Sequence, residues 1–140
     1  MIENLRPSNC WIVWDKGFSD KVTFAQVELA WTSFLSTSKI FNYNSAANLN
    51  RIHPTQKPVA LYKWLLQNYA KEGDKIFDSH VGSGSSRIAC YDMGFDFWGC
   101  ELDTEYFNAS IKRFEEHKKQ LSVFAPQEQY QKSVKQSEIF

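Results

Sequence analysis

Apolar and polar positions change their period along the chain, and each change predicts an element. Cys10 to Asp15 reads CWIVWD, the β-branched and aromatic content of a strand. Lys16-Gly17-Phe18-Ser19-Asp20 is a polar break. From Gln26 to Phe34, Val27, Leu29 and Trp31 alternate against Gln26, Glu28 and Ala30. That period of two predicts a second strand with one face buried, pairing with the first as an antiparallel edge pair. Ile40-Phe41-Asn42-Tyr43 predicts a third short strand, and Asn44 to Arg51 is a polar, Asn-rich connection.

Beyond it the period becomes helical. Pro58 suits a first helical turn, where its missing N–H is no loss. Leu61, Leu65 and Tyr69, with Tyr62 and Leu66 beside them, make one apolar face. Glu72-Gly73-Asp74 is a turn. Lys75 to Asp78 is expected as a short buried strand, Ser85 to Met93 as a helix and Phe95 to Glu101 as a further strand. Asp103 suits the N-cap of a last helix with Phe107, Ile111 and Phe114 inward. Lys112, Arg113, Lys118 and Lys119 are expected on its solvated face. Residues 1–121 are expected as one domain and residues 122–140 as a polar tail.

Between the two later strands stands Gly82-Ser83-Gly84. Strand, Gly-rich turn, helix, strand and terminal acid is the layout of a nucleotide-type cofactor site. Glycine lets the backbone turn sharply and approach a ligand. The helix start offers free N–H groups. The acid, Glu101, can accept hydrogen bonds from ribose hydroxyls. A dinucleotide fingerprint needs a third small residue where Arg87 stands, which disfavours a pyrophosphate cofactor and a nicotinamide oxidoreductase.

Composition narrows the class. With 140 residues, 43% of them hydrophobic and 16% aromatic, the chain can bury a core of one ordinary domain. No apolar run approaches the about 20 residues that span a bilayer, and Met1 to Asn9 is too polar for a secretory leader. Cys10, Cys90 and Cys100 are odd in number and lack metal spacing, so they are expected as reduced, buried thiols of a cytoplasmic protein. The net charge is zero, which gives no global basic excess for gripping nucleic acid.

One further segment decides among cofactors. His53-Pro54-Thr55-Gln56-Lys57-Pro58, followed by a helix and the strand ending at Asp78, resembles one family closely. It is similar to the DNA methyltransferases that modify exocyclic amines of adenine or cytosine, in the order that puts the catalytic part before the cofactor part. Trp98-Gly99-Cys100-Glu101-Leu102-Asp103, with Tyr106, Ala109 and Arg113, resembles that family's closing helix. The resemblance runs from about Cys10 to His117. It implies an α/β fold, a partial Rossmann-like methyltransferase sheet with flanking helices, opened by the antiparallel hairpin. It implies S-adenosylmethionine as cofactor and DNA as substrate. Carried over, Thr55 and Lys57 would reach the methionine end or nearby backbone, and His53 would fix the loop. Asp78, His80, Gly82 and Gly84 would surround the cofactor, and Glu101 would hold its ribose. No metal site is implied.

Two departures from the family pattern matter. The loop begins Asp78-Ser79-His80 where the family has Asp-Pro-Phe, so His80 either replaces the aromatic packing or leaves the loop loose. The family's catalytic segment is Asp/Asn/Ser-Pro-Pro-aromatic. The four prolines here, Pro7, Pro54, Pro58 and Pro126, are never adjacent. No catalytic residue is therefore expected, and the strands bearing that segment would lie upstream of Met1. The chain is read as the cofactor-binding part of such an enzyme, inactive alone. The alternative is a remnant serving as a binding or assembly module. An uncovered strand edge at Lys75 to Asp78 favours a homodimer or a partner chain.

Overall fold

The computed structural model describes residues 5–18, 21–44 and 51–124, with side chains to Leu121. The chain divides into two compact units, residues 1–48 and 49–140.

The first unit is a three-stranded sheet. Strand β1 (Trp11–Asp15) lies between β2 (Val27–Trp31), antiparallel to it, and β3 (Lys39–Asn42), parallel to it. The hairpin expected from the alternation is present. The third strand runs parallel because Thr32 to Ser38 carries the chain back across the sheet. Ile12 and Trp14 are buried on β1, and Cys10 just before it. The Trp14 indole donates to the Tyr43 carbonyl at 3.0 Å, and the Thr32 hydroxyl donates to the Cys10 carbonyl at 2.6 Å.

Strand β2 forms as expected, but it buries neither face: Val27, Leu29 and Ala30 are exposed and Glu28 and Trp31 half-buried. Register pairs Val27, Leu29 and Trp31 with Asp15, Val13 and Trp11. That is the face of β1 opposite to Ile12 and Trp14. Leu29 is 63% exposed and Ile40, opposite Val13 on the other side, 62%. The Asn-rich connection lies outside the described residues from 45 to 50, and the polar tail from 125 onward.

The second unit is built around a strand–helix–strand repeat. Helix α1 (Val59–Tyr69) precedes strand β4 (Lys75–Asp78); helix α2 (Ser85–Met93) leads to strand β5 (Asp96–Gly99); helix α3 (Thr104–Phe124) closes it. Strands β4 and β5 are parallel, with Ile76 opposite Phe97 and Phe77 opposite Trp98. Leu66, Val81, Ala89, Cys90 and Phe97 form the buried cluster, with Val59, Tyr62, Ala70, Ile76, Met93 and Phe95 against it. Each large apolar side chain so buried contributes about 1.5–3 kcal/mol.

Local chemistry sets the element ends. Pro58 is the N-cap of α1, one position earlier than the helical turn expected for it, with φ −68° and ψ 143°. The residue before a helix takes extended backbone, which proline's fixed φ permits. Gly94 ends α2 at φ 76°, where a side chain would be strained. Asp103 caps α3 as expected: its Oδ1 accepts the Glu105 and Tyr106 amides at 2.8 and 3.0 Å.

Two burial expectations fail here. Strand β4 is covered on one side only; Phe77 is 65% exposed on the face opposite α2. Cys100 is exposed, while Cys10 and Cys90 are buried, and all three are free thiols. Cys100 falls just past β5, where the chain leaves the sheet. Among the described residues no helix is long and apolar enough to cross a membrane.

Candidate cofactor site

The turn from Asp78 to Ser85 is held from both ends. The Val81 amide donates to the Cys100 carbonyl at 3.0 Å, and the Cys100 amide to the Asp78 carbonyl at 2.9 Å. The ends of β4 and β5 are thus stitched together beyond the ladder. The Asp78 carboxylate is engaged within the turn. Its Oδ1 accepts the His80 amide at 2.9 Å and its Oδ2 the Ser86 hydroxyl at 2.6 Å. Gly82 (φ 52°) and Gly84 (φ 75°) both stand in the left-handed region, which side chains avoid. A side chain on Gly84 would also meet Ser110 Cβ at 3.2 Å.

The HPTQKP segment is a second wall. The Thr55 amide donates to His53 Nδ1 at 3.2 Å, and the Thr55 hydroxyl lies 3.1 Å from that nitrogen. A neutral ring that accepts at Nδ1 carries its proton on Nε2. The His53 ring packs between Tyr106, 4.3 Å between ring centres, and Gly82, whose missing side chain would sit 3.7 Å from it. Gln56 is buried; its side-chain oxygen accepts the Ile52 amide at 3.0 Å and its backbone N–H donates to the His53 carbonyl at 3.1 Å. The Lys57 carbonyl accepts the Ser85 hydroxyl at 2.7 Å. The segment therefore meets the loop at both of its ends.

Glu101 closes the site from just past β5. Its Oε2 accepts the Gly82 amide at 2.8 Å and its Oε1 the Asp103 amide at 3.0 Å. Those backbone bonds, from Asp103 first and then Gly82, hold its carboxyl below the ordinary value. A carboxylate has about four lone-pair sites, so acceptor capacity remains for a hydroxyl donor after these bonds form.

The eight residues singled out in the sequence thus fall on the loop and its two walls. Their parts differ. Gly82 lies against His53 on one side and bonds to Glu101 on the other. Lys57 reaches the loop through its carbonyl. Asp78 holds the turn. The described contacts of Thr55 are with His53. His80 is exposed, with Nδ1 2.8 Å from the Ser79 hydroxyl, so it does not take over aromatic packing.

The sequence reading missed the far side of the loop. Arg113 is not on a solvated face. Its Nη1 donates to the Ser83 carbonyl at 2.8 Å and the Ser85 hydroxyl at 2.9 Å, with the Ser83 hydroxyl at 3.3 Å. Burial lowers its pKa. Tyr106, Ser110, Arg113 and His117 are spaced 4, 3 and 4 along α3, one helical stripe. Tyr106 meets His53 and Ser110 abuts Gly84; His117 Nε2 lies 2.6 Å from Asp92 Oδ1. The spacing was available in the sequence. A stripe of polar and charged residues carries no apolar period to mark it as inward.

A cofactor with hydroxyls and a polar end fits this donor set. The glycines leave room beside the backbone, the start of α2 offers amide N–H groups, and Glu101 keeps acceptor capacity. Comparison with known proteins agrees. Residues 4–113 match the family described as DNA methylase, the N6 and N4 amino-methyltransferases. The chain belongs to this S-adenosylmethionine-dependent family.

Among curated relatives, M2.DpnII, a type II methyltransferase of Streptococcus pneumoniae, is 40% identical over 63 residues, 45% of this chain and 24% of its own. M.HpaI, a type II methyltransferase of Haemophilus parainfluenzae, is 34% identical over 76 residues, 54% of this chain and 24% of its own. The matches thus span about a quarter of those relatives' length. The fold is also that of M1.HpyAVI, solved as a complex with SAM. The TM-score is 0.57 at 22% identity, over 74% of this chain and 60% of that one. TTHA0409 of Thermus thermophilus, complexed with S-adenosyl-L-methionine, gives a TM-score of 0.52 at 16% identity, over 76% and 52%.

Proposed function

We propose that these residues are the cofactor-binding part of a DNA methyltransferase acting on an adenine or cytosine amino group, with S-adenosylmethionine held at the Gly82–Ser85 loop. The observation that carries this reading is the Glu101–Gly82–His53 contact. It joins the acid, the glycine turn and the HPTQKP segment in one place. When bound, the cofactor supplies an electrophilic methyl group. The chain's own part is to bind and orient it: Glu101 accepts ribose hydroxyls, the start of α2 faces the polar end, and His53 and Lys57 hold the wall.

Calorimetric titration with S-adenosylmethionine tests the site. Saturable binding that Glu101→Ala weakens supports it; binding indifferent to Glu101 removes that residue from the reading.

Methyl transfer also needs a group that accepts the amine protons and a ring to stack on a flipped base. With no two prolines adjacent, these 140 residues hold no Pro-Pro-aromatic segment. We therefore expect no transfer of labelled methyl groups to mixed-sequence DNA by this polypeptide alone. The segment would come from outside it, from a partner chain. The exposed cross-strand pair Phe77 and Trp98, 65% and 41% accessible, favours such an association. The same proline pattern favours the second reading, a binding or assembly module that keeps the fold without activity. Transfer restored by adding the missing segment in trans distinguishes the two.

A further inference from the structure

The Ser83 and Ser85 hydroxyls and one guanidinium form a closed relay behind the loop. Ser85 has a single hydroxyl proton, and it goes to the Lys57 carbonyl at 2.7 Å. In the 3.1 Å contact between the two serines, Ser83 must then be the donor. Arg113 Nη1 donates into both and into the Ser83 carbonyl. Pulling on that carbonyl polarises the Ser83–Gly84 peptide, which strengthens the Gly84 N–H bond to the Val81 carbonyl, 2.9 Å long, that closes the turn. Among the described residues Arg113 faces no carboxylate within ion-pair distance. A half-buried cation is costly to place without return, and here its partners are all loop oxygens and all neutral.

We infer that Arg113 is a positioning residue for the cofactor loop. Its guanidinium sets the Gly82–Ser85 backbone in the shape that presents Gly82 to Glu101, and it transmits the position of the HPTQKP wall through Ser85 to α3. Its consequence for cofactor binding rests on the function proposed above; the shape of the loop does not. All three bonds come from one terminal nitrogen, which the shorter stem of a lysine would not carry to the same place, so the charge-conserving change is not conservative here.

Arg87 is the natural control. It is also half-buried, packs over Phe97 and Phe114 at 5.9 and 5.5 Å, and has its pKa lowered by burial with Glu115 opposing. None of its described contacts is to the loop.

Amide hydrogen exchange on the free protein reads the loop without any cofactor. Arg113→Lys and Arg113→Met should each speed exchange of the Gly84 amide about tenfold or more, the loss of a charge-assisted bond, while amides of β4 and α1 keep their protection. Arg87→Met should lower the melting temperature and leave the loop's exchange relative to β4 unchanged. In parallel, Arg113→Lys should weaken S-adenosylmethionine binding by more than Arg87→Met does at equal loss of stability.

Unchanged loop exchange in both Arg113 variants overturns the inference. So does equal loosening by Arg87→Met. Failure of both Arg113 variants to fold also overturns it, since the residue would then hold the whole unit and not the loop. A wild-type protein that ignores S-adenosylmethionine while Arg113 variants still loosen the loop would sink the proposed function and leave this inference standing.

Discussion

Glu101 Oε2 accepts the amide proton of Gly82 at 2.8 Å, so the acid just past β5 and the glycine turn after β4 are one structure. The acid is preorganised by the loop it would serve. Glu101→Ala should weaken S-adenosylmethionine binding at least about tenfold, since a bond to a charged acceptor is among the stronger ones. Glu101→Gln, which keeps acceptor oxygen but loses charge, should fall between. Calorimetry of the three proteins gives the order. Equal affinities would show that the carboxylate holds only the backbone.

Gly99 should tolerate no side chain. A Cβ there would clash with Val81 Cγ2 and lie 2.9 Å from Phe97 Cζ, inside the buried cluster. Gly99→Ala should destabilise by about 1–3 kcal/mol through overpacking. Val81→Ala in the same chain should recover part of that loss. Denaturant melts of the single and double variants test it, and additive losses would refute the clash.

Asp92 joins three helices. Lys63 on α1 reaches its Oδ2 and His117 on α3 its Oδ1, both at 2.6 Å, and its side chain is 11% exposed. Burial alone would raise its pKa. Hydrogen bonds and charge from His117 and Lys63 outweigh that and hold it below the ordinary 3.8. A depressed carboxylate stabilises above its unfolded pKa and loses that contribution as pH falls through the folded value. Asp92→Asn should therefore cost about 1–3 kcal/mol at neutral pH, and the gap to wild type should shrink as pH falls below about 4. Urea titrations across that window measure it; a pH-independent gap would contradict the assignment.

Thiol chemistry should separate the cysteines. Cys100 is exposed, whereas Cys10 and Cys90 are buried, and burial pushes the Cys90 thiol up to about 12 with Asp78 adding to it. Only thiolate reacts. The folded protein should release one equivalent promptly with a disulfide reagent near neutral pH, and the other two only on denaturation. Modification mapped to Cys90 in the native state would oppose this packing.

How much of this could be read in the residues depended on distance along the chain. Strand β4 and helix α2 fall at the residues expected, Lys75–Asp78 and Ser85–Met93, because glycines and an apolar run mark their ends. The cap by Asp103 was legible for the same local reason. The exposed side of Val27 and Leu29 was not. Alternation says that a strand has two faces and is silent on which one meets a core. Nor was the parallel return of β3, which no local turn announces. Arg113 looked solvated because a basic residue near other basic residues usually is. Its partners are 28 and 30 residues away.

That separation bears on the order in which the molecule assembles. The hydroxyl of Ser85 is tied to Lys57, 28 positions before it, and to Arg113, 28 positions after it. Closing each of these segments costs chain entropy before any bond is returned. The helices and the β4–β5 ladder can form while the loop between them is still a mere length of chain. On that ground its shape should be completed only when α3 docks, and it should be the first part to open as conditions worsen. Binding competence would then disappear ahead of the circular-dichroism signal of the helices, and a folded spectrum would be no proof of a formed pocket.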